Sequence, residues 1–285
     1  MISTTILDSK EIKMKAVFID IDGTLLTSNK TITEKTINTL KRLKEKGILC
    51  VITTGRPRWK TKDIAIKSGA SPYIISTNGS DIFNCENNEV IYQKRMNKKA
   101  LIDLYKLGTN NDVLVKFQSG FDIYVNKKLK PSHSYRKLFP NDMEKFLNEN
   151  TITQVLFESY DFEKIKTLKT QLEKLKQIKI VNQTKSLVYP EVKLEQNQFT
   201  YLDINSPDVN KGNAIKIFCE KFNIDLKDTI CIGDELNDIP MFKITGKSVV
   251  MGNARDDVKS FANVITTTND EDGVATFLEN EFLKN

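Results

Sequence analysis

Histidine is almost missing from this 285-residue chain, in which His133 stands alone. That scarcity removes multi-histidine metal centres and any Ser-His-Asp arrangement needing another histidine. Cysteine is nearly as rare. The four cysteines, Cys50, Cys85, Cys219 and Cys231, are scattered without a C-x-x-C pair, so neither a zinc knuckle nor a disulfide framework is indicated. Cys50 and Cys231 stand in apolar runs that read as strands and are expected to be small core residues. No apolar run approaches the roughly 18 residues of a spanning helix. The first ten residues lack both a basic start and a long apolar stretch, so no signal peptide is marked. A cytoplasmic location without a membrane partner is the expectation. No G-x-G-x-x-G follows a strand-like run, and Met241 occupies the glycine position a P-loop needs before Gly246-Lys247-Ser248. An EF-hand counted from Asp20 fails twice, at Leu25 and Thr31.

What the chain does have is the composition of an ordinary globular protein, with 39% hydrophobic and 28% charged residues. The formal charge of +6, from 43 Lys+Arg against 37 Asp+Glu, favours anionic partners in a general way. The lysines lie along helix faces, as in Lys164-Ile165-Lys166-Thr167-Leu168-Lys169. They read as solvated surface, and no nucleic-acid partner is expected.

From Lys15 to Ile21 the sequence is almost continuously apolar and then meets Asp-Gly-Thr, the pattern of a buried strand running into a turn. Thr33 is placed to cap a helix closing at Gly47, and Ile48 to Ile52 reads as a second buried strand. Strand, helix and strand joined this tightly predict a βαβ unit and a parallel sheet. A helix near Trp59 to Lys67, a strand at Tyr73 to Ser76 and a turn at Asn78-Gly79 continue it. Around Phe83 the texture changes to short alternating strands mixed with helices, an antiparallel sheet with helices on one face. After Pro207 the βα rhythm returns, with a helix over 211–222 and a strand over 229–232. The reading is an α/β fold with a parallel-sheet core domain, residues 1–83 plus 205–285, interrupted by an inserted α+β domain, residues 84–204. Within the insertion Tyr124, Tyr135, Phe139 and His133 are expected to be packing or surface residues.

The chemistry collects at strand ends. Asp20 and Asp22 stand at the carboxyl end of the first strand, where open parallel sheets bind ligands. A second acidic group, Asp234 and Asp238, follows the strand ending at Ile232. Such a cluster of oxygen donors suits Mg²⁺. Helix capping alone also accounts for Asn237 and Asp238, and the two uses are compatible.

These residues resemble the haloacid dehalogenase superfamily. Asp20-Ile21-Asp22-Gly23-Thr24 is similar to its first motif, Thr53-Thr54-Gly55-Arg56 to its second, Lys211-Gly212-Asn213-Ala214 to its third, and Gly233-Asp234 with Asn237-Asp238 to its fourth. The insertion between the second and third motifs, Asn78-Gly79, and Met251-Gly252-Asn253-Ala254 are similar to the Cof-type branch with a C2B cap. The resemblance implies a Rossmann-like core with a cap, and a Mg²⁺-dependent phosphatase of small phosphorylated metabolites, sugar phosphates favoured. It implies Asp20 as nucleophile forming an aspartyl-phosphate, Asp22 as general acid and base, Thr54 as a phosphoryl hydrogen-bond donor and Lys211 as charge balance. Asp20, the backbone carbonyl of Asp22, Asp234 and Asp238 would serve the metal. Gly55, Arg56, Asn78 and Asn237 would touch substrate or brace the site. A sugar phosphomutase of the phosphomannomutase type and an inactive regulatory homologue are the alternatives, and a monomer or weak homo-oligomer is expected.

Overall fold

The computed structural model describes residues 16–127, 136–188, 191, 193–195 and 197–284. Lys15, His133 and Tyr135 lie outside the described residues. The chain opens with β1 (Ala16–Ile19), α1 (Glu34–Glu45), β2 (Leu49–Thr53), α2 (Arg58–Ser68), β3 (Tyr73–Ser76), β4 (Asp81–Asn84) and β5 (Val90–Gln93). Next come α3 (Lys98–Asn110), β6 (Leu114–Ser119), β7 (Asp122–Val125), β8 (Arg136–Leu138), α4 (Met143–Glu149), β9 (Gln154–Ser159), α5 (Phe162–Leu172), β10 (Lys179–Gln183) and β11 (Thr200–Asn205). The last part holds α6 (Lys211–Phe222), β12 (Thr229–Gly233), α7 (Ile239–Phe242), β13 (Lys247–Val250), α8 (Asp256–Lys259), β14 (Val264–Ile265) and α9 (Gly273–Phe282).

The apolar run of β1 is continuous because both faces of its sheet are covered. Val17 and Ile19 pack with Leu40 and Leu43 of α1 and Leu278 of α9. Ala16 and Phe18 pack on the opposite face with Ile215 and Phe218 of α6. The sheet order is β14-β13-β12-β1-β2-β3-β4-β5, and β1 pairs in parallel with both β12 and β2. The chain therefore runs outward from β1 in opposite directions, which opens a crevice at the carboxyl ends of β1 and β12. Cys50 and Cys231 are buried in these layers, and burial pushes each thiol up to about 12.

The change of texture at Phe83 does not mark the edge of this sheet. β4 and β5 are antiparallel members of it, so residues 84–93, read from sequence as insertion, pair with the core. Their signal was weak because β5 is a half-exposed edge strand, with Val90 47% exposed. The second sheet, ordered β10-β11-β9-β6-β7-β8, is antiparallel apart from the parallel pair β7 and β8. One face packs Val115, Phe117, Val155 and Phe157 against Leu104 of α3 and Leu168 of α5. Phe139 packs edge-on against Phe117 and Tyr105, and Tyr124 against Phe146. The other face carries polar residues and turns toward the crevice as a roof. Lys185 of the roof meets Glu235 beyond β12 at 3.1 Å, and Asn205 donates to Thr77 O (3.2 Å) and Thr153 O (3.0 Å) where the layers join.

Arg58 heads α2 and is 5% exposed. It makes a two-pronged ion pair with buried Asp81, which also accepts from Ser76 Oγ at 2.9 Å. Its guanidinium lies 4.8 Å from the ring centre of Phe83. Removing one partner of such a pair leaves a buried charge uncompensated. Arg58→Met is expected to lower the unfolding free energy by about 3–5 kcal/mol, read as a lower urea midpoint at constant slope. An unchanged midpoint would show that the pair adds nothing to stability. Among the described residues no helix is long and apolar enough to cross a membrane.

Candidate active site

Asp20 follows β1 directly, and its backbone N–H donates to Ile232 O at 3.0 Å. The turn beyond it closes through Leu25 N to Asp20 O (3.2 Å) and Leu26 N to Ile21 O (2.9 Å). Gly23 occupies the left-handed region at φ +77°, and a methyl group there would fall 2.2 Å from Asp234 Oδ2. Glycine is thus required both for the conformation and for the approach of Asp234. Thr24 Oγ1 donates to Asp234 Oδ1 at 2.9 Å. Asn253 Nδ2 donates to Gly23 O at 2.9 Å, while its Oδ1 accepts from Asn269 N at 3.0 Å. The late Met251-Gly252-Asn253-Ala254 segment therefore anchors the first acidic turn.

Lys211 is the first residue of α6, whose N-cap Asn210 accepts from Asn213 N at 2.8 Å. It is fully buried, with Nζ 2.5 Å from Asp20 Oδ1 and 2.5 Å from Asp238 Oδ1. Asp238 Oδ2 accepts the N–H groups of Asp234 and Glu235, each at 3.0 Å. Asp238 is therefore at once a cap and a partner of Lys211. Ligand-capable oxygens of Asp20, Asp234 and Asp238 lie within 4.8 Å of one another.

Burial, reinforced by Asp238 and Asp22 and opposed by Lys211, raises the Asp20 carboxyl above the usual range. Burial and then the charges of Asp20 and Asp238 raise Asp234. Lys211 is pushed down by burial and more strongly up by its two carboxylates, which keeps it cationic. Three carboxylates thus face one ammonium, and the excess negative charge on oxygen donors is what a hard divalent cation satisfies. The residues fit such an ion.

The side chain of Asp22 stands outside this cluster. Its Oδ2 and Oδ1 accept from Arg56 Nε (2.6 Å) and Nη2 (2.5 Å), and Lys30 Nζ lies 3.5 Å away. Burial works to raise this carboxyl, but Arg56 and then Lys30 outweigh it and hold the group below its ordinary value. Thr54 follows β2 and is 1% exposed, with its N–H on Ile75 O at 2.8 Å and Oγ1 accepting from Arg56 N at 3.1 Å. Asn78 has φ +57° after Thr77 at +49°, two successive left-handed residues of which the β-branched one is strained. Its Oδ1 accepts from Asn237 Nδ2 at 3.0 Å, and a methyl on Gly55 would sit 3.0 Å from that oxygen. Asn78 and Asn237 thereby brace the loop that carries Thr54.

Asp20, Asp22, Thr54, Gly55, Arg56, Asp234 and Asn237 line a cavity of ≈ 1010 Å³. The roof contributes Gln154, Glu158, Asn182, Gln183, Tyr201 and Asp203, none of which the sequence reading singled out. A period-two signal for them exists, since Gln154, Leu156 and Glu158 alternate with buried Val155 and Phe157. That signal gives a polar strand face but not what it faces.

A switch-point crevice holding a buried lysine–carboxylate centre beneath a second sheet is the arrangement of a capped α/β hydrolase. The chain belongs to the haloacid dehalogenase-like hydrolase family, whose model matches residues 17–278, as the four motifs implied. It is 29% identical to Phosphatase YwpJ of Bacillus subtilis, over 93% of this chain and 99% of that protein. It is also 29% identical to the 5-amino-6-(5-phospho-D-ribitylamino)uracil phosphatase YcsE of the same organism, over 93% and 95% respectively. A solved haloacid dehalogenase-like hydrolase from Bacteroides thetaiotaomicron is similar with a TM-score of 0.76 and 27% identity, covering 94% of this chain and 100% of that one.

Proposed function

We propose that the chain is a Mg²⁺-dependent phosphatase of small phosphorylated metabolites, sugar phosphates foremost, with Asp20 as nucleophile. The observation that carries this reading is the fully buried Lys211 bridging Asp20 and Asp238 at 2.5 Å each. It fixes one carboxylate at the floor of an open cavity and supplies a permanent positive charge beside it. The named activities of the similar proteins support the same reaction class.

Asp20 and Asp234, with the backbone carbonyl of Asp22, would hold the ion, and Asp238 would brace them; the ion's part is to neutralise charge on phosphoryl oxygens. An Asp20 oxygen attacks phosphorus and the ester P–O bond breaks. Asp22 gives its proton to the departing oxygen. Asp22 then takes a proton from water as that oxygen attacks phosphorus, the P–O bond to Asp20 breaks, and inorganic phosphate leaves. Arg56 holds the Asp22 carboxyl below its ordinary value in this structure, so the first step requires Arg56 to turn from Asp22 to the incoming dianion and Asp22 to take up a proton from solvent, which it then gives to the departing oxygen. Thr54 donates to the transferring group.

The test is phosphate release from a panel of phosphorylated metabolites with and without Mg²⁺. Metal-dependent release is expected. Conversion of a hexose 1-phosphate to its 6-phosphate without release would overturn hydrolysis in favour of mutase chemistry.

A pH effect follows from the raised carboxyls. Asp20 is raised by burial and by the charges of Asp238 and Asp22 against the opposing pull of Lys211, Asp234 by burial and the charges of Asp20 and Asp238, and Asp203 is pushed up to about 7, chiefly by burial. Such groups bind more protons folded than unfolded, so their contribution is full below the ordinary carboxylate range and is lost as pH rises through the folded values. In EDTA the Tm is expected to fall between pH 5 and pH 8, and Mg²⁺ to raise it more at pH 8 than at pH 5. A Tm increment from Mg²⁺ that is the same at both pH values would contradict this.

A further inference from the structure

The floor of the cavity handles phosphate, and a different set of groups faces it from the roof. β10 pairs with β11 through a bulge at Val181, after which Asn182 stands opposite Asp203. The bulge lets Val181, Asn182 and Gln183 all line the cavity, the usual effect of a bulge beside a site. Asp203 is 6% exposed and makes no ion pair among the described residues; its hydrogen-bond partner is the neutral side chain of Asn182. Neighbouring Glu158, by contrast, is neutralised by buried Lys116. Gln183 Oε1 is buried and accepts no hydrogen bond. Tyr201 lines the same cavity, its phenol pushed up by burial and then by Asp203, Glu235 and Asp22.

The roof thus presents spare acceptor capacity among the described residues: a buried carboxyl held by one amide, with Lys60 and Lys116 near it but not paired to it, and a buried amide oxygen without a partner. Buried acceptors call for hydrogen-bond donors. An ionised phosphate or carboxylate brings none and adds like charge beside Asp203, while an alkyl chain leaves the acceptors unpaired. Hydroxyl groups fit.

We infer that Asp203, with Asn182 and Gln183, selects the leaving group, accepting an uncharged polyhydroxylated chain and rejecting one that carries a second anion. The inference rests on the phosphatase reading and goes beyond it by assigning the selecting residues and the excluded class.

Three esters of equal chain length test it: xylitol 5-phosphate, pentyl phosphate and 5-phosphoxylonate, compared by kcat/KM with Mg²⁺ at about pH 8.5, above the value of about 7 to which burial pushes Asp203, so that its carboxyl is ionised. Xylitol 5-phosphate is expected to exceed pentyl phosphate by at least about tenfold, as hydrogen bonds to a charged group imply, with the xylonate lowest. In Asp203→Asn the xylitol-to-pentyl ratio should fall at least about fivefold. The xylonate-to-pentyl ratio should rise about tenfold, because the amide donates to a carboxylate. A merely structural role would lower all three rates by one factor and leave the ratios in place. Wild-type ratios within about twofold of unity, or ratios that Asp203→Asn does not move, would overturn the inference. Failure to hydrolyse any of the three, and phenyl phosphate as well, would sink the phosphatase reading instead. Dissociation constants of the same esters, measured by titration calorimetry on wild-type and Asp203→Asn protein, then decide the roof's preference by the same order.

Discussion

Asp20→Asn is expected to lower Mg²⁺-dependent phosphate release by about 10⁴-fold or more while leaving the fold intact. An amide oxygen is a poor nucleophile toward a phosphate dianion, and among the described residues no other carboxylate stands in its place. Asp22 is turned toward Arg56. Asp234 is held by Thr24, and both oxygens of Asp238 are engaged by Lys211 and backbone N–H groups. The fold should survive because Asn keeps the size of Asp and Lys211 keeps Asp238. Burial already disfavours the charged form of Asp20, so the Tm in EDTA should hold or rise. Acid-quenched wild-type protein should carry a phosphorylated aspartate that is absent from Asp20→Asn. Equal rates in the two proteins would remove Asp20 from the mechanism.

Legibility in the sequence followed how each residue is buried. β1, β2 and β12 are covered on both faces, so their apolar runs are unbroken, and those of β1 and β12 end where the acids begin. Lys211 was legible by position, at the start of a helix capped by Asn210; its complete burial was not, because a lysine at a helix start is ordinarily solvated. The Arg56–Asp22 pair joins residues 34 positions apart and depends on how the turns after β1 and β2 approach one another. β5 escaped notice as a half-exposed edge, and β4 because its partners β3 and β5 run antiparallel to it within a sheet otherwise parallel. The roof was hidden for another reason. Its polar strand faces look the same in sequence whether they meet water or a second layer, and docking of the two sheets decides which. The motifs therefore marked the acidic floor of the cavity, whereas the polar residues of its roof emerged only with the fold.

Lys211→Met should damage stability and activity together, and the way the two recover separates their causes. The substitution keeps the length of the side chain but removes the ammonium that, among the described residues, alone pairs with Asp20 and Asp238, both nearly or fully buried. Leaving buried charge unpaired costs about 3–5 kcal/mol, and activity should fall about 10³-fold because the positive charge beside the nucleophile is lost. Without Lys211 the carboxyls hold their protons to higher pH, so the loss of Tm in EDTA should be small at pH 5 and large at pH 8. Adding Asp238→Asn removes one of the unpaired charges and should restore much of the Tm at pH 8. Activity should stay low, because Asp20 still lacks its cation. Non-additivity of the two substitutions in stability, measured by urea unfolding, reads the coupling directly. Strict additivity would mean that Lys211 and Asp238 do not act as a pair, and that the bridge at the floor of the cavity is not what keeps Asp20 in place.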